Sequence, residues 1–159
     1  MPCLNIEAMK KIFFFSMMCL MALAVNAQEF VDLGLPSGTK WKDKNEKELF
    51  NYNAAFGEFA SSLPTYAQFM ELKDNCKWEW MDNGYKVTGP NGNSIYLPVT
   101  SVRDCDGEYY ESSGGSGSYW SSTSAGLNLS HILIFTKNVR DVSESKRCNW
   151  RTVRLVQNK

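Results

Sequence analysis

The chain has 159 residues, and its 17 lysines and arginines balance its 17 aspartates and glutamates to a formal net charge of +0. This balance gives no electrostatic reason to expect nucleic acid or an anionic membrane surface as a partner, because both attract basic proteins. The length fits one domain of ordinary size.

Residues 1–27 have the pattern of a signal peptide rather than of a folded segment. Lys10 and Lys11 form a positive n-region, residues 12–25 form an apolar h-region, and a small residue precedes the expected cleavage site before Gln28. We therefore expect export, with a mature chain located in the periplasm, on the cell surface or in the medium.

Two alternatives stay open at this end of the chain. Translation starts either at Met1 or at Met9, and an uncleaved signal anchor is the alternative to a removed signal. The apolar segment is shorter than the roughly 18 to 20 residues that a helix needs to cross a bilayer. We expect residues 28–159 to form a single domain with no integral membrane span after processing.

The mature chain opens with a pattern that predicts a hairpin followed by a helix. Residues 30–33 and 39–41 alternate like short strands around a turn rich in glycine, proline and serine. Asn53 is the predicted N-cap of a short helix over residues 54–59.

A second helix has the clearest local signal in the chain. Thr65 and Gln68 have capping-box spacing, and an apolar stripe follows them, which predicts a helix from Tyr66 to about Asn75. The period then changes to two, and turn residues separate three apolar-alternating runs, which predicts three antiparallel strands in succession. These runs are residues 76–80, 85–88 and 94–97.

The last third of the chain combines an aperiodic segment with further strands. Residues 99–117 show no periodicity and are expected to form a functional loop. Tyr119 and Trp120 lie in a predicted strand, with Trp120 in the core. Further strand or return segments are predicted at residues 132–135, 138–142 and 151–156. The whole pattern predicts an α+β domain with two short helices and small twisted antiparallel sheets.

Aromatic residues near this aperiodic segment could also form a ligand platform, since aromatic rings supply contact area at low entropic cost. We favour an exposed role for Trp150 and a core position for Trp120. The candidate platform residues are Tyr109, Tyr110, Tyr119, Trp120 and Trp150.

Metal and catalytic signatures are incomplete. Residues 104–108 contain an Asp-x-Asp-Gly core similar to calcium loops, but the remaining ligand spacing is missing, so a solvated acidic turn is the favoured interpretation. His131 is the only histidine and has no serine or carboxylate partner at a recognisable spacing. We predict no metal site, no cofactor and no enzymatic activity.

Five blocks of residues, in this order along the mature chain, resemble the Fibrobacter succinogenes major paralogous domain family. The blocks are residues 31–41, 63–65, 87–98, 119–122 and 153–154. The resemblance implies an exported protein of a Bacteroides-like bacterium with a C-type-lectin-like fold of the formylglycine-generating-enzyme type. Two departures are a leucine after Arg154, where many members have proline, and a shorter segment at residues 42–60.

The resemblance also implies where ligand is bound. Relatives of this fold hold diversified contact residues in their last strands and loops, which correspond here to residues 124–150. The candidate ligand-binding residues are Ser124, Asn128, His131, Asn138, Arg140, Asp141, Ser143, Glu144, Asn149 and Trp150. The implied function is non-enzymatic binding of an unknown carbohydrate or protein ligand by loops on a rigid scaffold.

Lectin-like folds bridge a helix to a late strand, which implies a disulfide between Cys76 and Cys148; the alternative is that Cys76 is a buried apolar residue beside Trp78. Two further functions stay open. One is a structural or adhesive subunit of a surface assembly. The other is a formylglycine-generating-type oxidase, which is disfavoured because Cys105 and Cys148 are far apart in sequence.

Overall fold

A computed structural model describes residues 29–111 and 115–159 of the chain. The predicted signal peptide, residues 1–27, lies outside this described part. No helix within the described ranges is long and apolar enough to cross a membrane.

The described residues contain two α-helices, a short 3-10 helix and thirteen strands. In chain order they are β1 (Phe30–Asp32), β2 (Lys40–Lys42), β3 (Phe50–Asn51), α1 (Tyr52–Phe59), the 3-10 helix (Ala60–Ser62), α2 (Tyr66–Asn75), β4 (Lys77–Met81), β5 (Gly84–Thr88), β6 (Ser94–Pro98), β7 (Val102–Arg103), β8 (Tyr109–Tyr110), β9 (Ser116–Ser124), β10 (Leu129–Thr136), β11 (Arg140–Lys146), β12 (Trp150–Arg151) and β13 (Val156–Gln157).

The strands form four small antiparallel sheets, which confirms the predicted α+β class with two short helices. Their strand orders are β1-β2-β13, β4-β5-β6, β3-β12-β7-β8 and β9-β10-β11 with β10 in the centre. Only the last sheet has long strands, and β11 forms one of its edges. Among the described residues, no strand pairs with the outer edge of β11.

The elements with strong local signals form as predicted. The N-terminal hairpin pairs Val31 with Trp41. Helix α2 has the predicted capping box, in which the Gln68 backbone N–H donates to Thr65 Oγ1 at 3.2 Å and the Thr65 N–H donates to Gln68 Oε1 at 2.9 Å. The three-stranded meander β4-β5-β6 follows directly.

Helix α1 starts two residues before the predicted position. Its N-cap is Asn51, whose Oδ1 accepts the Ala54 N–H at 2.9 Å, so the prediction of Asn53 as N-cap is wrong. The reason is long-range. Asn51 ends strand β3 opposite Trp150, and this pairing holds it in the extended conformation that an N-cap requires.

Residues 112–114 of the predicted loop at 99–117 lie outside the described part, and the described part contains more regular structure than predicted. It contains β7 and β8, which pair with each other through Val102 opposite Tyr110 and Arg103 opposite Tyr109. Arg103 also lies opposite Trp150 in β12. These pairings run between strands of two residues, which are too short to show a periodic pattern in the sequence.

Strand β9 separates two hydrophobic cores, because successive residues of a strand point to opposite faces. Tyr119 packs in the core that contains Phe69 of α2 and Phe135, and Trp120 packs in the core that contains Tyr52 of α1. Both side chains are 0% exposed. The predicted core position of Trp120 is confirmed, and a ligand platform that includes Tyr119 and Trp120 is wrong.

A buried arginine joins three segments of the scaffold. Arg154 is 1% exposed, and burial lowers the pKa of its guanidinium. Its nitrogens donate to the carbonyl oxygens of Lys42, Asp43 and Tyr96 and to Oδ1 of Asn45, at 2.7 to 2.8 Å. The planar fork of donors therefore satisfies backbone acceptors from β2, the following loop and β6.

The disulfide of the described chain joins Cys105 to Cys148, with a Cα–Cα distance of 4.9 Å. The implied pairing of Cys76 with Cys148 is wrong. Pairing of β7 with β12 brings Cys105 next to Cys148, whereas Cys76 follows α2 and packs as a half-buried side chain against the first core. Burial raises the pKa of the Cys76 thiol to about 11.

Candidate functional site

The ten predicted ligand-binding residues lie along and beyond the β10-β11 hairpin and do not form one pocket. Strand β11 has seven residues, so its ends are roughly 20 Å apart. Asn138, Arg140 and Asp141 lie at the turn end of the hairpin. His131, Ser143 and Glu144 lie in its middle. Ser124, Asn128, Asn149 and Trp150 lie around its open end.

Two of the three turn-end residues line a shallow pocket of about 410 Å³. Asn138 and Arg140 line it together with Lys73 and Asp74 of α2. Asp141 is held by an ion pair, with Lys73 Nζ at 3.0 Å from its Oδ1, and this hydrogen bond holds the pKa of Asp141 below its ordinary value. Asp141 therefore ties β11 to α2.

The middle group offers no convergent chemistry. His131 lies opposite Glu144 in the β10-β11 ladder, and its ring lies 4.7 Å from the ring of Tyr66. Its Nδ1 is buried and has no hydrogen-bond partner among the described residues. Ser143 lies opposite Ile132 and is exposed. We find in these contacts a packing role for His131.

The open end of the hairpin borders a cleft of about 810 Å³, which we call the Arg147 cleft. Its described lining residues are Asn51, Asn53, Leu127, Asn128, Leu129, Lys146, Arg147 and Cys148. Of the predicted site residues, Asn128 lines it directly and Ser124 binds its central arginine.

Arg147 is fixed on one wall of the cleft by three contacts. Its Nη2 donates to Ser124 Oγ at 2.6 Å, and its Nε donates to the Leu129 carbonyl at 3.2 Å. Its guanidinium carbon lies 4.6 Å from the centre of the Tyr52 ring, within cation–π range. The charged group is therefore preorganised.

The opposite wall is the start of α1, and a backbone hydrogen bond connects the two walls. The Tyr52 N–H donates to the Arg147 carbonyl at 3.0 Å. Asn51 is held by its capping bond, whereas the Asn53 side chain forms no hydrogen bond with any described residue and is exposed. The cleft thus has rigid walls with free amide groups facing solvent.

The disulfide and its neighbours support the rim of the cleft. Cys148 lines the cleft, and the next residue, Asn149, donates from Nδ2 to Ser145 Oγ at 3.0 Å. Trp150 is half-buried, with the Arg103 guanidinium carbon 5.4 Å from its ring centre. Trp150 is thus less exposed than predicted, with the Arg103 guanidinium lying over its ring.

The acidic segment across the disulfide is a closed turn. Asp104 Oδ1 accepts the backbone N–H groups of Asp106 and Glu108, each at 3.0 Å. The Tyr110 hydroxyl donates to Glu108 at 2.8 Å, and this bond raises the pKa of Tyr110 to about 12. Within residues 29–111 and 115–159, no group of three or more His, Cys, Asp and Glu side chains could hold a metal ion.

Six lining residues of the Arg147 cleft were not among the candidates from sequence: Asn51, Asn53, Leu127, Leu129, Lys146 and Arg147. The basic pair at positions 146 and 147, directly before a cysteine, is a signal that could have identified one wall. The asparagines at 51 and 53 carry no such signal, because only β3-β12 pairing brings them close to residues almost a hundred positions later.

Comparison of the chain with protein-family models, with curated proteins and with solved structures gives no match.

Proposed function

We propose that the chain is an exported, non-enzymatic binding module with a C-type-lectin-like fold that holds a carbohydrate or protein ligand in the Arg147 cleft. The observation that carries the proposal is the set of contacts that fix this cleft. Arg147 is bonded to Ser124 and Leu129, Asn51 caps α1, and Cys148 is tied to Cys105. A preorganised site loses little conformational entropy when it binds.

The residue blocks that resemble the exported domain family support a division between frame and site. Trp41, Tyr119, Trp120 and Arg154 all belong to these blocks, and all four are buried. A fifth position, Gly89, lies so close to the Leu33 carbonyl that an added Cβ would overlap with it. The residue blocks that resemble the family therefore contribute buried and closely packed residues of the scaffold.

The residues that line the Arg147 cleft all lie outside these blocks. The turn at residues 89–93 is used to hold β1: Asn91 and Asn93 donate from Nδ2 to the Asp32 carbonyl at 2.9 and 2.8 Å. This division agrees with a rigid frame that carries changeable binding loops.

The test is a glycan and extracellular-protein array probed with the protein as recovered after export. We expect binding by the wild type and its loss in the triple variant Asn53→Ala, Asn128→Ala, Lys146→Ala. All three side chains are exposed, so the melting temperature should change little. A matched triple at the hairpin turn, Lys137→Ala, Asn138→Ala, Arg140→Ala, should retain binding.

Loss of binding in the turn variant and retention in the cleft variant would place the site in the turn-end pocket and contradict the proposal. The two alternative functions give different results in other measurements. A surface-assembly subunit forms concentration-dependent oligomers in size-exclusion chromatography, whereas an oxidase contains copper by elemental analysis and turns over a substrate.

A further inference from the structure

We infer that the Arg147 cleft recognises a saccharide that carries a carboxylate, such as a uronic acid. This inference rests on the proposed function and names its ligand class. The cleft supplies cationic groups without acidic neighbours in its wall, free amides suited to hydroxyl groups, and one exposed apolar contact.

The charge of the cleft wall favours an anionic group. Lys146 and Arg147 both line the cleft, and neither forms an ion pair with a described residue. No described aspartate or glutamate is part of the lining. Two neighbouring cations without a carboxylate partner attract an anionic ligand and strengthen its hydrogen bonds.

Arg147 also has N–H donors that form no hydrogen bond with a described residue. Its Nε and Nη2 are used in the bonds to Leu129 and Ser124, but its Nη1 makes no hydrogen bond with a described residue. A guanidinium whose remaining donors are held in a fixed plane matches the two oxygens of a carboxylate. The side chain is immobilised before the ligand arrives.

The rest of the lining favours a sugar. Asn53 and Asn128 present amides that both donate and accept hydrogen bonds, as sugar hydroxyls do. Leu127 is 91% exposed and offers an apolar surface to the carbon face of a sugar ring.

The acidic turn across the disulfide does not cancel this charge pattern. The carboxylate of Asp104 accepts two backbone N–H groups and the Tyr110 hydroxyl, and Glu108 accepts that same hydroxyl. Two of the three carboxylates in this turn are thus bonded within it. None of the residues of this acidic turn lines the cleft. The disulfide between Cys105 and Cys148 connects the turn to the cleft.

The experiment is an NMR titration of the isotopically labelled protein with oligosaccharides of galacturonate, mannuronate and glucuronate. Each acid is compared with its methyl ester, which keeps the ring and hydroxyls but removes the charge. We expect amide shifts concentrated at residues 51–53, 127–129 and 146–148 for at least one acid, and affinity for its ester about tenfold weaker, as for loss of a charged hydrogen bond.

A lysine pair in the same hairpin supplies a matched control. Lys146→Gln should weaken binding of the acid about threefold and leave binding of the ester unchanged, because Lys146 supplies only part of the tenfold preference. Lys137→Gln makes the same charge change at the opposite end of the hairpin and should change neither affinity. Arg147→Gln should abolish the preference for the acid. If Arg147→Gln does not fold, Lys146→Gln still decides the test.

Equal affinity for acid and ester, or no shift in the cleft with any of the three acids, would overturn the inference. Tighter binding of a glutamate-rich peptide than of every saccharide would overturn it as well. If the array instead shows a neutral glycan bound in the cleft, the proposed function survives and the carboxylate inference fails. If the cleft triple variant still binds its ligand on the array, both the proposed function and the carboxylate inference fail.

Discussion

At position 154 a cation is almost fully removed from water and is bonded to carbonyl oxygens rather than to a carboxylate. Burial of a charge is costly unless hydrogen bonds replace those lost to water. Arg154 meets this requirement through four hydrogen bonds of 2.7 to 2.8 Å to four different residues. Only a planar fork can reach these acceptors at once, so charge alone does not explain the residue.

Replacement of Arg154 by lysine tests this geometric requirement. Arg154→Lys keeps the charge but loses at least one bond to a buried acceptor, so we expect the free energy of unfolding to fall by about 3 kcal/mol. Urea denaturation measures the change. Arg140→Lys at an exposed position should change stability by less than about 0.5 kcal/mol. If Arg154→Lys and Arg140→Lys lower the free energy of unfolding by equally small amounts, a positive charge alone suffices at position 154.

Asp141 shows a different use of charge, since its carboxylate is exposed and its partner is a single lysine. The hydrogen bond from Lys73, followed by the bond from the Val142 backbone, holds the pKa of Asp141 below its ordinary value of 3.8. A carboxyl with a lowered folded-state pKa stabilises the fold above its unfolded-state pKa. This contribution is lost as the pH falls through the folded-state pKa.

Lys73→Met should therefore raise the pKa of Asp141 toward 3.8 and reduce the acid-dependent loss of stability. Carboxyl carbon shifts in an NMR titration report this pKa directly. Lys77→Met removes a lysine that is 4.0 Å from Glu79 and should leave Asp141 unchanged. An unaltered Asp141 pKa in Lys73→Met would mean that the ion pair does not persist in solution.

Among the elements, strand β9 has the strongest packing constraint because it lies between two cores. Its Gly117 lies opposite Phe135 in the β9-β10 ladder, and a Cβ at this position would overlap with the Phe135 ring. The phenylalanine ring thus occupies the space that any other side chain at 117 would need. A glycine inside a strand is explained here by close approach rather than by backbone conformation.

A pair of glycine substitutions separates the effect of close packing from the effect of backbone conformation. Gly117→Ala should lower the free energy of unfolding by about 2 kcal/mol through overpacking against Phe135. Gly57→Ala, on the exposed side of α1 where no atom lies within 4 Å, should raise it by about 0.5 to 1 kcal/mol through helix propensity. Thermal unfolding followed by circular dichroism measures both. A stabilising Gly117→Ala would contradict the packing.

The two helices show which element boundaries a sequence can predict. Helix α2 depends on Thr65 and Gln68, which are three residues apart and bond to each other, so its start is encoded locally. At the start of helix α1, Asn51 and Asn53 have the same side-chain chemistry, although only Asn53 was predicted as the cap. The choice between them depends on β3 pairing with β12, about a hundred residues away, which no local pattern contains.

At the scale of the whole molecule, the Cys105–Cys148 bond is the covalent link between the acidic turn and the open end of the β10-β11 hairpin. The bond closes a loop of 43 residues. Chain-entropy estimates give about 4 kcal/mol of stabilisation for a loop of this size. The same link restrains the rim of the Arg147 cleft, so stability and binding should respond together.

Double replacement, Cys105→Ser with Cys148→Ser, should lower the free energy of unfolding by about 4 kcal/mol, measured by denaturation without reductant. Cys76→Ser should cost much less, because the thiol is half-buried and unbridged. Peptide mapping without reduction should recover the 105–148 cross-link and a Cys76 thiol that alkylates slowly, since its pKa of about 11 leaves little thiolate. A cross-link at Cys76 would contradict the structure.

The candidate site illustrates what pattern reading misses at this scale. The sequence grouped polar residues of the late loops into one candidate site, but a hairpin separates its turn from its open end by the length of its strands. Arg140 and Asn128 are therefore near opposite ends of one sheet although both are polar and exposed. The second wall, at Asn51 and Asn53, comes from a distant segment and required the fold.

The outer edge of β11, which no described strand covers, affects how two molecules could pair at high concentration. A second molecule adding its own copy of this strand antiparallel about Ser143 would bring Arg140 of each molecule against Lys146 of the other. Two such repulsive pairs oppose ribbon formation, which is how many proteins guard an open strand. In this register the repulsion disfavours the pairing and helps to keep the Arg147 cleft beside Lys146 accessible.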